Sequence, residues 1–159
     1  MRETIKITKS DLNDKNEYLK ETISGDYNVE IEENLEYVKF KSISVKGFIL
    51  AKTGSGIKAG WGIEAGNGIE AGDGIKAGWG IKAGWGIEAG SGIKAGSGIE
   101  AGEGIKAGKS IITLYKGIQA KFISCLKLTV GFYSEEKQII KARLIKGLIL
   151  GEFQDEKED

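Results

Sequence analysis

The sequence of 159 residues carries 23 basic and 23 acidic side chains, no histidine and one cysteine. A net charge of zero argues against general nucleic-acid binding, the missing histidine removes the commonest general base and zinc ligand, and a lone cysteine excludes an intramolecular disulfide. Because the sequence shows neither the apolar region of a signal peptide nor an apolar run of membrane-spanning length, we expect a cytoplasmic protein of one domain that does not bind membranes.

The first part of the chain, residues 1–40, is predicted to form a cap of strand and helix. Residues 4–8 alternate like a strand, and Ser10 is a suitable N-cap for a helix over residues 11–23. Further strand is predicted over residues 27–51. The carboxylates at its centre are interpreted as a solvated strand face, because a calcium or magnesium site would need Asp, Asn and Gly in loop spacing. These carboxylates are Glu30, Glu32, Glu33 and Glu36.

A six-residue unit repeats through residues 54–110, in which Gly-Ile-(Lys or Glu)-Ala-Gly is followed by one variable residue. Isoleucine and alanine lie two positions apart, so in a strand both point to one side and the charged residue between them points away. The two glycines around the variable residue permit a bend that other residues make at a higher cost. The unit therefore predicts a very short strand and a corner, stable only when successive coils stack and bury the isoleucine and alanine.

This repeat resembles the hexapeptide-repeat β-helices and the β-solenoid core of bactofilin-like polymer-forming proteins. The resemblance covers about residues 54–110 and implies a mainly β fold, a single-stranded β-solenoid that we extend over residues 41–133. In left-handed hexapeptide enzymes the small residue typically lies two positions before the large aliphatic residue, whereas here the alanine lies two positions after the isoleucine. The handedness of the solenoid and membership of that enzyme family therefore stay open.

The tryptophans favour three hexads per coil over two. Trp61 and Trp79 lie three repeats apart and would stack on adjacent coils in that register. The same register predicts three outward faces with different charges. They are a column of Lys58, Lys76 and Lys94 beside Trp61 and Trp79, a column of Glu70 and Glu88 beside Asp73, and a mixed face of Glu64, Lys82, Glu100 and Trp85.

The last third of the chain is predicted to continue the solenoid and then close it. Residues 111–132 are interpreted as further strand, in which Cys125 is a small packed residue and not a nucleophile. Residues 134–151 are a second cap, either a short helix that begins at Ser134 or a strand over residues 139–150. Residues 152–159 are charged and predicted to be disordered.

The sequence offers no constellation for catalysis or metal binding. Without histidine there is no Ser-His-Asp or Cys-His arrangement, and one cysteine cannot build a zinc site. Gly108-Lys109-Ser110 has the ending of a phosphate loop, but Glu103 occupies the position where that loop needs a glycine. We therefore expect a protein that is not an enzyme and that has no cofactor and no metal.

The tryptophans at variable positions of the repeat carry the strongest functional signal. Bulky aromatic residues that face outward are typical of interface anchors, and lysines beside them can meet phosphate or carboxylate groups. The alternative is that the tryptophans pack against the N-terminal cap. The predicted partner-binding residues are Trp61, Trp79, Trp85, Lys58, Lys76 and Lys94.

Three functions are compatible with these observations. The first is an interaction protein that binds or occludes a protein partner, such as a nucleic-acid-binding enzyme; by analogy of fold alone, a phage or mobile-element inhibitor of a host defence nuclease (an anti-CRISPR) fits. The second is a self-assembling, bactofilin-like scaffold, that is, a homo-oligomer. The third is an acyl- or nucleotidyltransferase of the hexapeptide class, which would need Glu or Asp in place of a histidine base. We favour the first.

Overall fold

The computed structural model describes residues 1–115, 117–130 and 140–150. It is a β-solenoid in which 18 strands form one continuous sheet, and the named strands pair in parallel, so the predicted fold class is confirmed. The strands are β1 (Glu3–Ile7), β2 (Thr22–Gly25), β3 (Tyr27–Ile31), β4 (Glu36–Phe40), β5 (Ser42–Val45), β6 (Ile49–Ala51), β7 (Ser55–Ala59), β8 (Ile63–Ala65), β9 (Ile69–Ala71), β10 (Ile75–Ala77), β11 (Ile81–Ala83), β12 (Ile87–Ala89), β13 (Ile93–Ala95), β14 (Ile99–Ala101), β15 (Gly104–Ala107), β16 (Ser110–Thr113), β17 (Ile118–Thr129) and β18 (Ile140–Leu150).

Each strand of the repeat pairs with the strand three elements later, so one coil contains three hexads. Ile57 pairs with Ile75, Ile75 with Ile93, and Ile93 with Ile111, which confirms the register that Trp61 and Trp79 indicated. The earlier coils are longer, because partners such as Ser44 and Glu64 are 20 residues apart instead of 18. The regular hexads therefore set the tightest coil of the solenoid.

The core is a continuous stack of isoleucine and alanine side chains. In each short strand of the repeat the first and third residues are buried and the charged residue between them is exposed, as the two-residue alternation predicts. Ile75, for example, is fully buried. Since a fully buried isoleucine contributes about 1.5–3 kcal/mol, this stack supplies most of the driving force for coiling.

The two glycines of one corner can have different roles, as Gly78 and Gly80 show. A Cβ on Gly78, the first glycine of its corner, would lie 2.0 Å from the carbonyl oxygen of Gly60 on the preceding coil, whereas a Cβ on Gly80 would lie 3.4 Å from that of Gly98. Among the described glycines only Gly25 and Gly54 have positive φ. After Gly54 the repeat therefore does not need its glycines for a left-handed backbone conformation. Gly78 is required instead because the neighbouring coil approaches it closely.

The predicted helix over residues 11–23 is wrong, and the only helical turn there is the 3₁₀ segment Lys9–Asp11. The Asp11 carboxylate accepts hydrogen bonds from the amide and hydroxyl of Thr8, and the Asn13 side chain accepts from the amides of Lys15 and Glu17. Side chains that bond the local backbone in this way compete with a helix. The chain turns instead, and an antiparallel bridge between Leu12 and Tyr18 forms.

The turned segment covers the first coil of the core. Leu12 and Tyr18 are buried, and the ring centroid of Tyr18 lies 5.4 Å from that of Phe40. At the other end β17 pairs with β14, β15, β16 and then β18, so the strand alternative for residues 139–150 is confirmed over Ile140–Leu150. Residues 134–139 and the predicted disordered tail, residues 152–159, lie outside the described residues. The division into caps and solenoid at residues 40, 133 and 151 stays a prediction.

Candidate partner-binding surface

Trp61 and Trp79 form a stacked pair at the corner that follows strands β7 and β10. The Trp79 amide donates a hydrogen bond to the Trp61 carbonyl across 3.1 Å, and the ring centroids are 5.9 Å apart with planes at 10°. Their side chains are 57% and 65% exposed. The alternative that the N-terminal segment covers these rings is therefore wrong.

Lys58, Lys76 and Lys94 form a ladder on the face that precedes this corner. They occupy paired positions of β7, β10 and β13, so one lysine projects from each coil. Lys39 pairs with Lys58 at one end of this lysine ladder, and Ile112 pairs with Lys94 at the other. The sequence predicted the three-lysine column correctly, and the structure extends it to a fourth coil.

The lysine ladder keeps its charge available. Among the described residues, the ion pairs use other cations, and none joins a carboxylate to Lys58, Lys76 or Lys94 within 4.0 Å. The Lys76 ammonium lies 4.2 Å from the ring centroid of Tyr37, a cation–π contact that leaves its charge in place. The Lys39 ammonium donates to the carbonyl oxygen of Lys15. Three adjacent lysines thus face solvent, and no carboxylate of the described residues lies within 4.0 Å of their ammonium groups.

The tryptophan pair also borders a shallow groove of about 650 Å³ on the following face. It is lined by the first residues of β8, β11 and β14 and the glycines before them, and also by Glu64, Lys82 and Glu100. Lys82 and Glu100 form an ion pair at 3.4 Å, which reduces the net charge of this wall. The predicted mixed column is confirmed by the pairing of these three residues.

Trp85 lies at a different corner from the tryptophan pair. Its amide donates to the carbonyl of Asn67 and its carbonyl accepts from Glu103, so no tryptophan stands directly above or below it. The ring is 67% exposed and borders a second groove of about 520 Å³ that Phe48, Leu50 and Phe122 also line. Trp85 therefore lies apart from the lysine ladder, although its ring is exposed like those of Trp61 and Trp79.

The third face carries an acid–base column of Glu70, Glu88 and Lys106. Glu70 pairs with Glu88, as the register predicted, and Glu88 pairs with Lys106. The Lys106 ammonium donates to Oε1 of Glu88 at 2.8 Å, and this hydrogen bond and the Glu88 charge raise the pKa of Lys106. Opposite charges thus meet on adjacent coils of this face, whereas in the lysine ladder each lysine pairs with another lysine.

Two further ion pairs repeat that arrangement. Lys121 contacts Glu103 at 2.7 Å, and Lys52 contacts Glu30 at 2.6 Å. The hydrogen bond from Lys52 and its charge lower the pKa of Glu30, while Glu30 raises the pKa of Lys52. Glu30 is thus a half-buried ion-pair partner, whereas its neighbours Glu32 and Glu33 are exposed as predicted.

Tyr37 and the apolar neighbours of Trp85 were not identified from the sequence. Tyr37 belongs to the irregular strand β4, whose spacing from β7 differs from that of the regular hexads, so only the pairing of Val38 with Ile57 places it above the lysines. Phe48 and Phe122 likewise come from outside the regular hexads. The signal that could have found Tyr37 is its position two residues before Lys39 on the same strand face.

Cys125 and the segment Gly108-Lys109-Ser110 are the other chemical candidates in the sequence. Cys125 is buried, and burial raises the pKa of its thiol. Ser110 begins strand β16 and not a helix, so Gly108-Lys109-Ser110 lacks the context of a phosphate loop. In the described part of the chain, no three His, Cys, Asp or Glu side chains come together as a metal site, and no helix is long and apolar enough to cross a membrane.

No protein-family model matches the sequence, and no curated protein and no solved structure matches it significantly.

Proposed function

We propose that the protein is a non-enzymatic binding module that engages an acidic surface of a protein partner. The contact surface consists of Lys58, Lys76, Lys94, Trp61 and Trp79, which we name the basic–aromatic surface. The observation that supports it is the exposed, stacked tryptophan pair beside three lysines that have no described carboxylate neighbour.

The aromatic part of this surface has the properties of an interface anchor. Exposed indole rings lose apolar contact with water when a partner covers them, and tryptophan and tyrosine are enriched among residues that dominate binding energy. The two rings already stack on each other at a hydrogen-bonded corner, so less side-chain freedom remains to be lost on binding. The rings therefore supply affinity, and the lysines beside them select the charge of the partner.

An anionic partner is favoured because none of the described carboxylates forms an ion pair with the lysine ladder. Like charges on adjacent strands repel each other, and acidic groups on a partner would relieve that repulsion. The net charge of the chain is zero, which argues against a general nucleic-acid binder and favours a protein partner. Binding should therefore weaken as salt is raised.

A role as an inhibitor of a host defence nuclease is the finer form of this proposal. This finer form rests on analogy of fold alone. The proposed cytoplasmic location rests on composition. An inhibitor that imitated nucleic acid would display unpaired carboxylates, but Glu88 is paired with Lys106. An inhibitor of this architecture would therefore use the basic–aromatic surface to cover an acidic region of its target.

The test is affinity capture from a lysate of the source organism, followed by mass spectrometry, with a Trp61→Ser/Trp79→Ser variant in parallel. The matched control is Trp85→Ser, which removes an equally exposed indole from another corner. We expect one stoichiometric partner that the double variant loses and the control retains. If all three baits recover the same proteins, the basic–aromatic surface is not the interface, and bait alone in large assemblies would favour a scaffold.

A further inference from the structure

We infer that the partner presents an acidic α-helix, which lies along the solenoid axis on the basic–aromatic surface. This inference rests on the proposed function and adds the shape of the partner to its charge. It is derived from the spacing of the lysines and tryptophans, which repeat once per coil.

The repeat distance of this surface is close to the pitch of an α-helix. Adjacent parallel strands, and hence Lys58, Lys76 and Lys94, are about 4.7–4.9 Å apart along the axis. The ring centroids of Trp61 and Trp79 are 5.9 Å apart. A helix presents one residue per turn on a given side, about every 5.4 Å. The surface and a helix that runs parallel to it are therefore nearly in step.

The match holds over all three lysines. Lys58 and Lys94 are two coil spacings apart, a distance of about 9.6 Å along the axis. Carboxylates at positions i, i+4 and i+7 of a helix span about 10.5 Å on one side. The mismatch of about 1 Å is small compared with the reach of a lysine side chain, so three ion pairs can form together.

Other elongated anions fit this ladder less well. In an extended strand, side chains on one side recur about every 6.6 Å, so the third would lie about 13 Å from the first. Each strand of duplex DNA places a phosphate about every 3.4 Å along its axis, and the strands wind around that axis. Both therefore lose step with Lys58, Lys76 and Lys94 after one or two contacts.

The width of the surface also suits a helix. Trp61 follows Lys58 by three residues, so the tryptophan corner is at most about 10 Å from the lysine ladder. A helix with its side chains is about 10–12 Å wide. It can therefore place its acidic stripe on the lysines and an adjacent apolar stripe against the tryptophan edges.

Both ends of the ladder limit the contact to about two helical turns. Beyond Lys94 the next position is the uncharged Ile112. At the other end the Lys39 ammonium donates a hydrogen bond to the Lys15 carbonyl oxygen. Glu17 pairs with Lys39 in a parallel β-bridge of the backbone, so a carboxylate follows the lysines there and would repel a further carboxylate of the partner. We therefore expect the basic–aromatic surface to recognise about eight helical residues of the partner, with carboxylates at positions i, i+4 and i+7.

The test uses synthetic peptides and the full-length protein. The ridge peptide is alanine-rich, with Glu at i, i+4 and i+7 and Leu at i+1, i+5 and i+8. A second peptide has the same composition with the glutamates distributed around the helix, and a third carries a central proline that breaks it. A single-stranded oligothymidylate of equal charge is the fourth probe. Calorimetry at low salt gives the dissociation constants.

We expect the ridge peptide to bind at least about tenfold more tightly than the redistributed peptide, the proline peptide and the oligonucleotide. Lys76→Glu should remove most of that binding, whereas Lys82→Glu, the same change on another face, should not. Circular dichroism of both variants confirms that the solenoid is intact.

Each other outcome overturns a defined part of the argument. Equal binding of the ridge and proline peptides, lost in Lys76→Glu, would exclude the helix and leave an acidic partner in place. Tightest binding of the oligonucleotide would exclude both the helix and a protein partner. If none of the probes binds, the helix is excluded, and the capture experiment with Trp61→Ser/Trp79→Ser decides separately whether the surface binds a protein.

Discussion

The lysine ladder and the acid–base column are made from the same six-residue unit, yet their charges are arranged in opposite ways. In the acid–base column Lys106 donates to Glu88 on the coil before it, while Lys76 has a lysine on the coil before it and another on the coil after. The backbone and core beneath the two are alike, with buried isoleucine and alanine on either side of the charge. The lysine ladder and the acid–base column therefore differ only in the residue between isoleucine and alanine, which aligns on adjacent coils every three repeats.

This difference shows how a solenoid separates stability from recognition. The buried isoleucines, at about 1.5–3 kcal/mol each, stabilise the coils whatever the outward residue is. Contacts between exposed charges are weak by comparison. A face can therefore neutralise itself, as the acid–base column does, or stay charged for a partner, without a large change in the free energy of unfolding.

Both faces depend on coils that remain in register, so the largest effect is expected when that register is disturbed. Gly78→Ala places a Cβ 2.0 Å from the Gly60 carbonyl oxygen, and the coils must move apart. Overpacking of this kind costs about 1–3 kcal/mol. Gly80→Ala, whose Cβ would lie 3.4 Å from the nearest atom, is the matched control at the same corner. Urea unfolding of the two variants measures the difference, and equal destabilisation would contradict the close-approach explanation.

A smaller effect is expected when one lysine on each face is reversed to glutamate. Lys106→Glu replaces the ion pair with Glu88 by a third carboxylate in the column, so the melting temperature should fall by roughly a degree or two at low salt. Lys76→Glu loses its contact with Tyr37 but gains Lys58 and Lys94 as opposite charges, so its melting temperature should stay within about a degree of the wild type or rise.

Added salt sharpens this second prediction. Screening should shrink the loss in Lys106→Glu and should also shrink any gain in Lys76→Glu. Melting curves at about 20 mM and 500 mM salt measure both. A fall of similar size in the two variants at low salt would mean that the lysine ladder has compensating acidic neighbours after all.

The smallest effect is expected from acid titration of one ion pair. The hydrogen bond and charge of Lys52 hold the pKa of Glu30 below its usual value of 4.5. A lowered folded-state pKa stabilises the fold above the unfolded-state pKa, and that stability is lost as the pH falls through the folded-state pKa. Glu30→Gln should therefore melt slightly below the wild type at pH 7, and the gap should shrink once the pH falls below 4.5 and close below the lowered folded-state pKa of Glu30.

The lysine ladder provides the reference for that titration. Lys76→Gln removes no ion pair with a described carboxylate, so its difference from the wild type should stay constant over the same acid range. Differential scanning calorimetry from neutral pH down to about pH 2, where both Glu30 and the unfolded-state carboxyl are protonated, tests both variants. A constant gap for Glu30→Gln would show that the pair with Lys52 does not form in solution.

The local sequence determined which residues face the core and how the coils stack. The two-residue spacing of Ile75 and Ala77 assigns both to one side of a strand, and this depends only on backbone geometry. The separation of Trp61 and Trp79 by three repeats then selected three hexads per coil, because equivalent positions on adjacent coils must align. The columns of the basic–aromatic surface follow from these two facts alone.

Only the tertiary structure decided features that depend on contacts between coils or with irregular segments. The two glycines of a corner are identical in sequence, and the carbonyl of the preceding coil makes only Gly78, and not Gly80, intolerant of a side chain. Tyr37 meets Lys76 because an irregular strand pairs above the repeat. The segment after Thr8 turns instead of forming a helix, since Asp11 and Asn13 bond the local backbone while Leu12 and Tyr18 are buried at the end of the core.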